Sequence, residues 1–169
     1  RIYTDVLVQT AADYNEFRAY ATMIDRSKLE NVILVADRGY ENYNIFAHAI
    51  EKGWKFAIRI KDKNSNGIAS RLNFPPNDEF DIDITQIFSR ENTKTTKNAD
   101  YKWMPVNQVF DYLPRKSDKT YELSFEMAHY ADIGIILHRE KYIRATRSTS
   151  SFDLISLLVA SIIGCSVMP

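Results

Sequence analysis

Five consecutive apolar residues, Val32-Ile33-Leu34-Val35-Ala36, run directly into Asp37-Arg38-Gly39-Tyr40. An unbroken apolar run between helical segments predicts a strand covered on both faces, as in parallel sheets. The flanking segments supply the covers. Phe17, Tyr20, Ala21 and Ile24 recur at i, i+3, i+4 and i+7, the stripe of an amphipathic helix, with Asp13 and Glu16 read as a capping box at its start. Tyr43, Phe46, Ala47 and Ile50 form a second stripe, and Gly53 is placed to end that helix. Trp54, Phe56, Ile58 and Ile60 alternate with Lys55, Ala57, Arg59 and Lys61, which predicts a half-buried strand. Ile2, Tyr3, Val6, Leu7 and Val8 predict another strand at the start of the chain. The order β-α-β-α-β implies an α/β fold with a parallel or mixed sheet and right-handed crossovers.

The pattern changes after Lys61. Asn64-Ser65-Asn66-Gly67 and Pro75-Pro76-Asn77 are turn clusters. Short strands are predicted around Asp81–Ile87, Val106–Tyr112 and Tyr121–Phe125. The chain therefore divides into an α/β part over 1–61, a β-rich insertion with long loops over 62–130, and an atypical segment over 131–169. That last segment is basic from His138 to Arg147 and then uncharged from Leu154 to Pro169. The uncharged run is shorter than the roughly 20 apolar residues a spanning helix needs. A membrane span is therefore not expected. A buried element and a frameshifted or truncated reading frame remain as alternatives.

Composition sets outer bounds. The 169 residues are 45% hydrophobic, which supports a packed core. The 22 basic and 22 acidic residues balance to zero, against a dedicated basic nucleic-acid module though not against a local basic face. A single cysteine excludes an intramolecular disulfide framework. The first residue is Arg1, and we read this as a chain whose N-terminal part is missing.

Asp37 is the sharpest chemical feature. It follows an apolar strand and precedes a helix, where open α/β sheets form their sites. A carboxylate held there can ligate Mg²⁺, a hard cation that prefers oxygen. Gly39 permits a tight turn into the helix. The competing structural reading, that Asp37 caps the next helix and Arg38 pairs with a surface acid, is the commoner meaning of this spacing.

A longer pattern bears on that choice. Ala36-Asp37-Arg38-Gly39-Tyr40-Glu41-Asn42-Tyr43-Asn44-Ile45-Phe46-Ala47-His48, followed by Lys52-Gly53-Trp54-Lys55-Phe56-Ala57-Ile58-Arg59-Ile60-Lys61-Asp62, resembles the DDE transposases of the insertion-sequence-4 family. The resemblance is close over 1–62 and looser to about residue 126. It implies an incomplete ribonuclease-H-like core, with residues 2–9, 32–36 and 54–60 as its third, fourth and fifth strands. It also implies that Asp37 is the second catalytic aspartate and a metal ligand. The cofactor would be Mg²⁺ or Mn²⁺, two ions about 3.5–4 Å apart between two Asp and one Glu. The reaction would be cleavage and strand transfer at transposon ends. The implied partner is DNA, the assembly a homodimer, and the location the bacterial cytoplasm at the nucleoid.

Two parts of that family pattern are absent from the sequence. The first aspartate belongs on a strand upstream of Arg1, and Asp5 does not replace it. The family's Tyr-x-x-Arg-x-x-x-Glu-x-x-x-x-x-x-Lys spacing does not occur after the insertion; neither Glu126 nor Glu140 sits in it. The expectation is a chain without nuclease activity of its own, with a non-catalytic α/β DNA- or protein-binding domain as the alternative. Arg38, Arg59 and Lys61 are candidate phosphate contacts, with Lys63 beside them and Lys94, Lys97 and Lys102 as insertion lysines. His48 is read as a packing residue, and Trp54 and Trp103 likewise. The unpaired third strand is expected to make the isolated chain aggregate or dimerise.

Overall fold

A computed structural model describes residues 3–61, 65–76, 79–93, 101–130 and 133–138. These residues form two α-helices, α1 (Glu16–Arg26) and α2 (Tyr43–Glu51), and strands β1 (Ile33–Ala36), β2 (Lys55–Arg59), β3 (Phe80–Ser89), β4 (Tyr101–Trp103), β5 (Thr120–Tyr130) and β6 (Ile133–His138). The six strands join in one mixed sheet, ordered β1-β2-β6-β5-β3-β4. β1 and β2 are parallel, with Ala36 opposite Ile58. β6 runs antiparallel to both β2 and β5, and so couples the α/β part to the β-rich part. The protein is thus a mixed α/β molecule, consistent with part of a ribonuclease-H-like domain. β6 lies in the segment read as atypical; the rest of that segment, with Glu140 and the uncharged run, lies outside the described residues, as do Lys63, Lys94 and Lys97. No helix among the described residues is long and apolar enough to cross a membrane.

α2 organises the core. Every residue from Tyr43 to Ala49 is buried, a wider face than the four-residue stripe predicts. Phe46 stacks on Phe56 of β2 at 5.3 Å between ring centres and meets Phe125 of β5 at 6.1 Å. Tyr43 packs on Phe88 of β3 at 4.8 Å. Asn42 caps the helix start by accepting from the Asn44 N–H at 2.8 Å. At the other end the Gly53 N–H donates to Ile50 O and the Trp54 N–H to Ala49 O, both at 2.9 Å. This pairing requires a left-handed residue, and Gly53 has φ +72°.

Several expectations are corrected. Residues 3–9 form no strand: Tyr3, Val6 and Val8 are exposed, and β1 is the end of the sheet. Strand geometry needs a hydrogen-bonding neighbour, and this segment is instead held by side chains. The Arg26 guanidinium donates to Asp5 and to Val6 O, and the Gln9 amide exchanges two bonds with the Asn15 backbone. The cap of α1 is Asn15, which accepts from the Arg18 N–H at 2.9 Å, while Asp13 ends a short 3-10 turn. β1 is covered on one face only, because Ile33 and Val35 remain 53% and 42% exposed. β2 is more enclosed than its alternation suggests: Phe56, Ala57 and Ile58 are all buried, since it lies inside the sheet. Residues 106–112 are loop, and Trp103 is 44% exposed.

Candidate active site

The C-terminal ends of β1 and β2 lie side by side. Asp37 and Arg59 each follow the paired residues Ala36 and Ile58 by one position, so they occupy the same end of neighbouring parallel strands. Asp37 is exposed in extended backbone, its side chain makes no capping bond, and its carbonyl accepts the Tyr40 N–H at 2.9 Å. Residues Arg38–Tyr40 form a 3-10 turn, which presents Arg38 to solvent. Tyr40 turns the other way: it packs on Tyr20 at 4.6 Å, and its hydroxyl donates to Glu16. That bond and the Glu16 charge, with burial, push the Tyr40 hydroxyl up to about 12.

Glu41 fixes this loop to the end of β2. Its carboxylate accepts the Lys61 N–H at 2.8 Å and the Ile68 N–H. Lys61 and Ile68 are thereby both tied to the site loop. Gly67 lies at the closest approach: a Cβ there would sit 2.7 Å from the Glu41 carboxylate and 2.9 Å from Lys61 Cβ. The Lys61 backbone is tied down while its side chain is exposed; Arg59 is half-buried. Asp37, Arg38, Arg59 and Lys61 therefore all lie on or beside two strand ends joined through Glu41. Sequence reasoning passed over Glu41, whose only signal is its place four residues after Asp37.

Lys102, one of the insertion lysines read as candidate phosphate contacts, is a half-buried residue of β4. Its ammonium donates to the Tyr43 hydroxyl at 2.8 Å and lies 4.5 Å from that ring's centre. Burial, helped by the Arg71 charge, lowers it to about 8. Asp5 pairs with Arg26, away from any site role. Glu126 lies in β5 and is buried. Trp54 is buried, and its indole N–H donates to Leu29 O.

Two further residues escaped the sequence reading. Arg90, just after β3, is buried with its guanidinium pointing into the 104–113 loop. It donates to the carbonyls of Met104, Pro105, Gln108, Phe110 and Leu113, at 2.6 to 3.4 Å. Asp111 on that loop returns to α2, where its N–H and carboxylate both bond Asn44 and its carboxylate meets His48. Neither residue differs in sequence from an ordinary surface charge.

Asp37 suits a hard divalent cation as one ligand: a carboxylate on a rigid strand end, open to solvent. Each oxygen of Glu41 already accepts a backbone N–H, so this carboxylate is engaged in holding the loop. Among the described residues, no set of three His, Cys, Asp or Glu side chains converges to hold a metal ion. The ligand set is therefore incomplete within the described part of the chain.

This strand-end geometry coincides with a family assignment. The transposase DDE domain family matches residues 1–134, and the chain belongs to that family. No curated protein and no solved structure matches it.

Proposed function

We propose that the chain serves DNA transposition, as part of a catalytic domain that cleaves and rejoins DNA at insertion-sequence ends. The observation that carries this reading is the family match over 1–134, with Asp37 exposed at the end of a strand within it. Asp37 would supply one carboxylate to Mg²⁺ or Mn²⁺, whose chemistry when bound is activation of an attacking oxygen and stabilisation of the leaving one. Arg38, Arg59 and Lys61 would contact phosphates beside it, positioning the duplex without reading its sequence. The closer kinship is with the insertion-sequence-4 group, and the working assembly is a homodimer on DNA at the bacterial nucleoid.

A single carboxylate holds Mg²⁺ weakly, because the ion keeps most of its waters. The chain alone is therefore expected to bind DNA without cutting it. Supercoiled plasmid with Mg²⁺ should stay intact, while a gel shift with duplex DNA should weaken on combined Arg38→Ala, Arg59→Ala and Lys61→Ala. Mg²⁺-dependent nicking abolished by Asp37→Ala would overturn the inactivity. Failure to shift DNA at low salt would overturn the DNA reading. That no three His, Cys, Asp or Glu side chains converge on a metal position among the described residues favours one alternative, a non-catalytic DNA- or protein-binding domain derived from a transposase.

A further inference from the structure

His48 is sealed from solvent, with a side chain only 6% exposed, yet both ring nitrogens face carboxylates. Nδ1 lies 2.7 Å from Asp25 Oδ1 on α1, and Nε2 lies 2.9 Å from Asp111 Oδ2 on the 104–113 loop. An ionised carboxylate only accepts, so both contacts are hydrogen bonds only when both nitrogens carry a proton. A neutral ring has one N–H and one lone pair. That lone pair would face a carboxylate oxygen at hydrogen-bond distance, which is repulsive. We propose that His48 is a protonation-operated clamp: the imidazolium fastens α1 and the 104–113 loop to α2, and loss of its proton frees one of them.

The surroundings keep the Asp111 carboxylate an acceptor. Burial pushes the Asp111 carboxyl up, but bonds from Asn44 and His48, with the His48 and Arg18 charges, outweigh it and hold Asp111 below the usual carboxylate value. Both carboxylates remain in contact with water, with side chains 54% and 55% exposed. The other groups facing the cluster do not replace the clamp. From the loop, the Tyr112 hydroxyl lies 3.3 Å from Nδ1 and its ring meets His48 edge-on at 4.9 Å. Burial, with the charges of Asp25, Glu51 and Asp111, pushes that hydroxyl up to about 12, so it stays neutral through the histidine range and can donate to a bare Nδ1, but the Asp25 oxygen stays nearer the same nitrogen, at 2.7 Å. From α2, Lys52 donates to the Asp25 backbone carbonyl at 2.7 Å, not to its carboxylate, and Glu51 accepts from Tyr121. From α1, Arg18 acts on Asp111 through its charge.

Of the two parts that the clamp fastens, α1 is the lightly held one, since the loop is also held by Arg90 and by Asn44. α1 buries only Ala21 and Ile24. Between α1, α2 and the loop lies a cleft of about 440 Å³, lined by Phe17, Arg18 and Val109 around the Asp25, His48 and Asp111 side chains. Release of either side widens this cleft.

Hydrogen exchange read by mass spectrometry tests it, following residues 16–26 and 104–113 from about pH 5 to about pH 8, after division by the intrinsic chemical rate. Protection in one or both segments should fall about tenfold or more across that range, with β3 and β5 unchanged. His48→Gln, which has no titrating proton, should abolish the fall. Asp111→Asn removes a charge and brings an amide N–H that can donate to the neutral ring, so its fall should begin at lower pH and be smaller. Constant protection in the native chain, an undiminished fall in His48→Gln, or an unshifted fall in Asp111→Asn would each overturn the proposal.

Discussion

The Glu41 carboxylate accepts the Lys61 backbone N–H at 2.8 Å, binding the end of β2 to the loop that begins at Asp37. With the Ile68 N–H on the same carboxylate, one side chain closes the segment between residues 61 and 68. Glu41→Ala removes both acceptors and leaves two backbone donors to water or to nothing. We expect a loss of about 1–3 kcal/mol in urea unfolding. Glu41→Gln keeps one acceptor oxygen and should lose less. Gly67→Ala tests the same closure from the other side, since its methyl group would press on Glu41 and on Lys61 Cβ. It should destabilise, and it should do so much less in the Glu41→Ala background.

Arg90 ties together the 104–113 loop of the β-rich part through its guanidinium. Its charge has no carboxylate partner in the bonds it makes; five backbone carbonyls surround it instead. Arg90→Met would strip those carbonyls of their donor while removing the buried charge. Arg90→Lys would keep the charge and lose the planar fork that spans the loop. Both are expected to cost about 2–4 kcal/mol, with the loss visible as a lower denaturation midpoint and faster exchange over 104–113.

These two residues mark where the sequence stops being informative. α2, its stripe and its Gly53 stop are local patterns, readable because the residues involved are neighbours along one helix. So is the Asp37 position, which needs only an apolar run and a turn. The failures are of another kind. Tyr3, Val6 and Val8 have strand chemistry but lack a paired neighbour, and pairing is not a local property. Ile33 and Val35 look like core and sit at the sheet's end. Asp111 reaches His48 across 63 residues, and no spacing rule connects them. Asp13 and Asn15 are both good caps two residues apart, and propensity does not choose between them.

Acid should weaken the same cluster that alkali releases. Asp111 has a folded-state pKa held below the ordinary carboxylate value despite its burial, through Asn44, His48 and the Arg18 charge. A depressed carboxylate contributes stability that is fully present above its unfolded pKa, about 3.9, and is lost as pH falls through the folded value. Stability measured by urea unfolding should therefore decline as pH is lowered into and below the carboxylate range. In Asp111→Asn that part of the decline should vanish, leaving a shallower acid limb. An acid limb identical in the two proteins would mean that Asp111 is not ionised more readily in the folded chain.

β1 pairs with β2 on one side and has no strand on the other among the described residues. Its backbone groups on that side are open, and Ile33 and Val35 expose apolar surface beside them. Edges of this kind recruit a second strand unless a charge, a proline or a cover blocks them. None of the four residues Ile33–Ala36 is charged or proline. The chain is therefore expected to self-associate through β1, with sedimentation velocity showing species larger than a monomer. Val35→Lys places a charge on the open face without touching the core. It should shift the population towards monomer while changing unfolding stability by no more than about 0.5 kcal/mol, as for an ordinary surface substitution. A native chain that sediments as a sharp monomer at high concentration would show that the edge is already covered. A Val35→Lys chain that associates as before would place the contact elsewhere.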